Sequence, residues 1–328
     1  MSSDREIPSQ STDPSSAQPE PYGWGPTPPL LPRARFQHSY SRHLLLFFAT
    51  FLTTTYAQSL FLLGLTLNLA GVIQAGLFGW GAFLNGLWYS VPLLTILAAH
   101  EFGHYSYCRR YNVDATLPFF LPAPFLLTGT FGAVIRIKER FPSKNALFDI
   151  GVAGPIAGFV VLVPFLFWGV MKSELGPVQP GSLWFGEPLL FQFVAVLRFG
   201  PIPDGLEVVA HPMAMAAWWG MLATALNLLP FGQLDGGHIV YALFGPRAKN
   251  ISILTLVATM LLTLRSMSWI AMTIMMLVMA FFLGFRHPHI ADEDQPLDQR
   301  RMVVALCALI IFIICFTPVP IETFLGDR

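Results

Sequence analysis

Between Leu44 and Trp80 the chain carries no charged side chain. A charge-free run of that length belongs in hydrocarbon, where every backbone polar group must be satisfied within the protein and helices are the usual solution. It is also too long for one crossing, which takes about 20 residues. Thr53, Thr54 and Thr55, then Gln58, Asn68 and Gln74, break it up. One span is expected near 44–63, followed by a second apolar piece that re-enters or lies at the interface. Apolar segments recur at 84–110, 146–170, 212–229, 250–264, 268–285 and 302–316. The whole chain is 54% apolar and only 12% charged, against about 25% charged in soluble domains. The expectation is an all-α polytopic membrane protein with about six transmembrane helices and a short membrane-associated β-hairpin or strand region. A formal net charge of zero offers no footing for nucleic acid.

One of these apolar segments holds an ionisable cluster. Leu93 to Ala99 is apolar apart from Thr95, and His100-Glu101-Phe102-Gly103-His104 follows directly. This is the H-E-x-x-H pattern. Residues at i and i+4 share one helical face, with Cβ atoms roughly 5–6 Å apart. Two imidazoles so placed can both reach one Zn²⁺, and Glu101 is left to address a metal-bound water. Short patterns arise by chance in soluble helices. Ionisable groups inside an apolar span are costly, however, and mark function by default.

A catalytic zinc site takes three protein ligands and one open position, so a third ligand must come from elsewhere. Asp235 is the best candidate. It sits in the Gly-rich break Asn227-Leu-Leu-Pro230-Phe-Gly-Gln-Leu-Asp235-Gly236-Gly237-His238, which lets a carboxylate turn toward a partner. The competing readings are Asp235 as a helix cap and His238 as the ligand. His211, His287 and His289 read as surface residues. Cys108, Cys307 and Cys315 show no C-x-x-C spacing and read as small apolar fillers.

Between the two motifs, Pro118, Pro122 and Pro124 forbid a regular helix. Gly129 to Ile137 has the β-branched, alternating character of a strand or hairpin. A strand edge there can receive an extended peptide by β-addition, or the stretch is a plain interfacial loop. Gly154 and Gly158 form a G-x-x-x-G pair that permits close helix approach. Residues 171–211 read as a polar loop containing Gly and Pro.

The termini are polar. Residues 1–42, rich in Ser, Pro and Gln, read as a disordered tail without the apolar core of a cleavable signal; 321–328 read as a C-terminal tail. If Arg109 and Arg110 are cytoplasmic, every Lys and Arg except Lys172, Arg198, Arg265 and Arg328 falls on the same side. That bias follows the positive-inside rule and places both motifs toward the cytoplasmic half of the membrane.

His100-Glu-Phe-Gly-His104, followed by Asn227, Pro230 and Asp235-Gly236-Gly237, resembles the site-2 protease family of intramembrane zinc metalloproteases. The intervening Gly129-Thr-Phe-Gly-Ala-Val-Ile-Arg-Ile137 and Asp149-Ile-Gly-Val-Ala-Gly154-Pro-Ile-Ala-Gly158 resemble its bacterial and plastid branch, which includes the ethylene-dependent gravitropism type. The resemblance covers about residues 40–320. It implies a Zn²⁺ held by His100, His104 and Asp235, with Glu101 as catalytic base. It implies Asn227 near the substrate or oxyanion and Gly129, Thr130, Phe131 and Gly132 along the substrate. The implied activity is hydrolysis of peptide bonds in membrane-embedded protein substrates within the lipid bilayer. Residues 43–320 would form the protease domain, in a bacterial cytoplasmic membrane with the site toward the cytoplasm. The spacing Gln233-Leu-Asp235-Gly-Gly departs from the family's usual N-x-D-G form. The alternatives are an inactive scaffold or chaperone of the same fold, and a metal-ion transporter.

Overall fold

A computed structural model describes residues 35–62, 79–178, 183–284, 290, 292 and 295–323. The tail up to residue 34, the second apolar piece at 63–78, His287, His289 and residues 324–328 lie outside the described residues. The helices are α1 (Tyr40–Leu62), α2 (Trp80–Arg110), α3 (Lys144–Met171), α4 (Leu189–Phe199), α5 (Pro212–Asn227), α6 (Asp235–Phe244), α7 (Ala248–Arg265), α8 (Ile270–Leu283) and α9 (Gln299–Cys315). Among the described residues, three stretches are long and apolar enough to cross a membrane: Trp80–Arg110, Lys144–Met171 and Asp235–Arg265.

The threonines of α1 do not interrupt it. Thr50, Thr54 and Thr55 donate their hydroxyls to carbonyls one turn back, at 2.6–2.8 Å, which satisfies them inside an apolar helix. The Thr55 and Ser90 hydroxyls also share a hydrogen bond at 2.8 Å, which ties α1 to α2. The 31-residue α2 ends where Asn112 takes a left-handed φ of 56°. Val113 N–H then bonds the Cys108 carbonyl at 2.8 Å and Asn112 N–H the Arg109 carbonyl at 3.1 Å, the 6→1 and 5→2 pair of a Schellman stop. Helix α3 starts at Ser143, whose hydroxyl accepts from Ala146 N–H at 3.1 Å, an ordinary N-cap.

Strand β1 (Phe119–Pro122) pairs antiparallel with β2 (Thr130–Val134), Phe119 opposite Val134, so the expected hairpin is present. Gly129 closes it with φ of 73°, and a Cβ there would press on the Thr53 carbonyl of α1.

Residues 171–211 are not a plain loop. They form β3 (Glu174–Pro177), β4 (Leu183–Phe185), helix α4 and β5 (Leu206–Val209). Strand β3 pairs with β5, and β4 pairs with β6 (Ile321–Thr323), which falls in the stretch expected as a C-terminal tail. Strands of three or four residues between prolines and glycines are too short to show a period, and the partner of β4 lies far along the chain. At the other terminus α1 begins at Tyr40, inside the expected tail. Just before it, Phe36 N–H donates to Asp114 Oδ1 at 2.7 Å.

The main core lies where α3 meets α4, α5, α6 and α9. Leu162, Leu166 and Val170 of α3 pack with Phe191, Ala217, Trp218, Met221 and Ile311. Helix α2 lies along the N-terminal half of α3.

Candidate metal centre

Helix α2 presents His100 and His104 one turn apart on the face that meets α3. The Nε2 atoms of the two rings lie 3.1 Å from each other. Asp235 is the first residue of α6, and its Oδ2 lies 3.2 Å from His100 Nε2 and 3.3 Å from His104 Nε2. Both imidazoles are buried, and the carboxylate is nearly so. Among the described residues, these three form the group of His, Cys, Asp or Glu side chains close enough to share one metal ion.

Each candidate ligand is placed by a feature outside the motif. His104 Nδ1 lies 2.7 Å from the Ile150 carbonyl of α3. A carbonyl can only accept, so the proton sits on Nδ1 and Nε2 turns a lone pair toward the centre. Pro155 has no N–H for the Gly151 carbonyl one turn back, which loosens α3's own ladder at this level. The glycines of α3 make room for the rings. A Cβ on Gly154 would fall on the His104 imidazole, and one on Gly158 would lie 3.2 Å from His100 Cβ. The two helices run antiparallel, so 154 faces 104 and 158 faces 100. Asp235 is held by tight winding of its own segment. A Cβ on Gly236 would strike the Leu228 carbonyl, and one on Gly237 the Gly232 carbonyl.

Two imidazole lone pairs and a carboxylate oxygen converging within about 3 Å repel one another, and a divalent cation removes that conflict. Two neutral imidazoles and one carboxylate are a fitting donor set for a catalytic metal site with an open position.

The peptidase family M50 model matches residues 88–264, more than half of the chain. The chain belongs to peptidase family M50. This M50 chain is 35% identical over 162 residues to the probable zinc metalloprotease EGY1, chloroplastic, of Oryza sativa subsp. japonica, covering 48% of this chain and 28% of that protein. It is 28% identical over 254 residues to the probable zinc metalloprotease EGY2, chloroplastic, of Arabidopsis thaliana, covering 74% of this chain and 44% of that protein. It is 28% identical over 247 residues to the probable zinc metallopeptidase EGY3, chloroplastic, of Arabidopsis thaliana, covering 69% and 42%. The chain thus spans less than half the length of these relatives. Their names place them in chloroplasts and lend no support to a bacterial cytoplasmic membrane.

The remaining expected residues of the M50 chain divide. Glu101 is buried beside the imidazoles. Asn227 is the last residue of α5, and its Nδ2 lies 3.2 Å from His100 Nε2. Gly129 and Thr130 are occupied by the hairpin: the Thr53 hydroxyl donates to the Gly129 carbonyl at 2.7 Å, and the Thr130 hydroxyl to the Leu121 carbonyl at 2.8 Å. Gly132 N–H donates to the Thr130 hydroxyl at 2.9 Å, and the exposed Phe131 lies edge-on to Phe125. His238 is outside the metal group; its ring meets Phe141 and its Cβ faces Gly151. His211 is a helix cap, accepting at Nδ1 from Met213 N–H at 3.2 Å. Burial, and then the Lys172 charge, lower its pKa. Cys108 and Cys315 are buried free thiols, and Cys307 is an exposed one.

Two parts of the centre escape the sequence motifs. The Ile150 carbonyl is backbone and has no side-chain signature. Gly154 and Gly158 read as a helix-approach pair, but the pattern does not say that the approaching groups are the two imidazoles.

Proposed function

We propose that this chain is an intramembrane zinc metalloendopeptidase that hydrolyses peptide bonds of membrane-embedded proteins. The observation that carries the reading is the convergence of His100, His104 and Asp235 on one point with Glu101 buried alongside. His100, His104 and Asp235 would hold Zn²⁺, which when bound acts as a Lewis acid toward a scissile carbonyl and toward water. Glu101 takes a proton from the attacking water and returns it to the leaving amine. Asn227, close to His100, offers an amide donor to the oxygen that gains charge in the transition state. A helical substrate segment must unwind to expose a peptide bond. The β2 strand, which carries Thr130, Phe131 and Gly132 with Gly129 just before it, offers an extended edge to receive it on the side away from β1.

The domain that does this is taken as residues 43–320, with about six crossings drawn from α1, α2, α3, α5, α7, α8 and α9. Arg109 and Arg110 lie less than two turns beyond His104, so the site sits toward the Lys- and Arg-rich face. That face is the cytoplasmic one under the positive-inside rule. The lipid bilayer and a membrane protein substrate are the partners.

The test is cleavage of a single-span model substrate by the purified chain in proteoliposomes, beside Glu101→Gln. The expected result is cleavage by the parent, with turnover lower by at least about 10²-fold in the variant. Equal cleavage by both would contradict the role given to Glu101.

A further inference from the structure

We infer that Arg301 is a positioning residue for His104, acting through Asp149 and the carbonyl of Ile150; the inference rests on the metalloprotease reading. Arg301 lies in the first turn of α9, where Asp298 caps the helix by accepting from Arg301 N–H at 2.9 Å. Its guanidinium reaches across to α3 and grips Asp149 at both oxygens. Nε lies 2.8 Å from Oδ1, and Nη2 lies 2.6 Å from Oδ2. The third nitrogen, Nη1, pairs with Asp298. Tyr111, the C-cap of α2, donates its hydroxyl to Asp149 Oδ2 at 2.5 Å and accepts from Arg301 Nη2 at 3.2 Å. Burial, and then Asp149, raise the pKa of that phenol, so it stays a donor at neutral pH. One carboxylate thus joins α2, α3 and α9.

The next residue after Asp149 is Ile150, whose carbonyl holds His104 Nδ1 at 2.7 Å. Tyr111 follows His104 by seven residues, two helical turns, and so lies on the same face of α2. The seam between α2 and α3 is therefore pinned at two levels, Tyr111 to Asp149 and His104 to Ile150. Gly154 leaves His104 no slack, because even a Cβ there would overlap the ring. An axial slip of α3 would pull the carbonyl off Nδ1 and turn Nε2 away from Asp235. A bidentate guanidinium resists such a slip, whereas an ammonium makes a point contact. The proposed chemistry uses neither Arg301 nor Tyr111 nor Asp149, yet Arg301 and Asp149 form a largely buried pair, 20% and 15% exposed.

The experiment is Zn²⁺ affinity of the full chain in nanodiscs, by competition with a chelator, for the parent, Arg301→Ala, Arg301→Lys, Asp149→Asn and, as a control for plain destabilisation, Leu166→Ala. Losing a group that hydrogen-bonds a metal ligand directly lowers metal affinity by about 10–100-fold, and Arg301 and Asp149 act at least one link further out, so the loss should lie at the low end, about 10-fold. Arg301→Ala and Asp149→Asn should show that loss and Arg301→Lys an intermediate one. The visible spectrum of bound Co²⁺ should shift in the first two. Leu166→Ala should lower the thermal midpoint and leave zinc affinity at the parent value. Parent-like affinity in both Arg301→Ala and Asp149→Asn would overturn the inference. So would losses in those variants that merely track the folded fraction as in Leu166→Ala. A parent chain that binds no zinc would instead remove the metalloprotease reading itself.

Discussion

The two ends of α3 are built on opposite rules. Its N-terminal half presents Gly151, Gly154 and Gly158 to α6 and α2, and the groups that touch them are His238, His104 and His100. Its C-terminal half presents Leu162, Leu166 and Val170 to Phe191, Trp218 and Met221. The first end uses missing side chains to let polar rings approach. The second uses bulky ones to exclude lipid and water. A change at the first should therefore disturb metal binding more than stability, and a change at the second the reverse.

Gly154→Ala should have the largest effect on metal binding. The new methyl group would occupy the space of the His104 ring, and overpacking of this kind typically costs about 1–3 kcal/mol. Bound zinc should be lost while most of the helical circular-dichroism signal remains; normal zinc content in a folded variant would break the contrast. Leu166→Ala should have the largest effect on stability, with about 2–5 kcal/mol lost from a fully buried site. Denaturant titration should show that loss at unchanged zinc stoichiometry. Gly158→Ala is milder, because its Cβ would stand 3.2 Å from His100 Cβ, a distance that small shifts relieve. Zinc affinity should fall by less than in Gly154→Ala, measured by the same chelator competition.

The smallest effect sits beyond the C-terminal end of α3, in the layer of short strands. Burial, and then the nearby Glu207, raise the pKa of Glu187. A carboxyl group with a raised folded-state pKa stabilises the fold below its unfolded pKa, and that contribution is lost as pH rises through the folded value. Thermal midpoints should therefore fall slightly as pH rises from the carboxylate range toward neutrality. Glu187→Gln should flatten that slope with zinc affinity unchanged.

The same two ends explain what could be read from sequence. The histidine pair is a local pattern, fixed by 3.6 residues per turn, and His100 and His104 stand where the spacing puts them. Asp235 is distant in sequence, but the Gly-rich break around it announced a turn, and Gly236 and Gly237 do admit the carbonyls of residues 228–232. The hairpin at β1 and β2 was legible because Pro118, Pro122 and Pro124 leave no helix to compete. The Ile150 carbonyl was not legible, since backbone groups leave no mark in composition. Nor was the pairing of β4 with β6, which joins three-residue strands from distant parts of the chain. The salt bridge of Asp149 to Arg301 spans 152 positions, too far apart for any local pattern to join them.

The account turns on one ion held by residues of α2 and α6 together. Zinc content of the purified chain, measured by elemental analysis beside His100→Ala and Asp235→Ala, tests it most directly. About one equivalent in the parent and little or none in either variant is the predicted result. Full zinc retention in Asp235→Ala, or a parent that carries none after zinc loading, would contradict it.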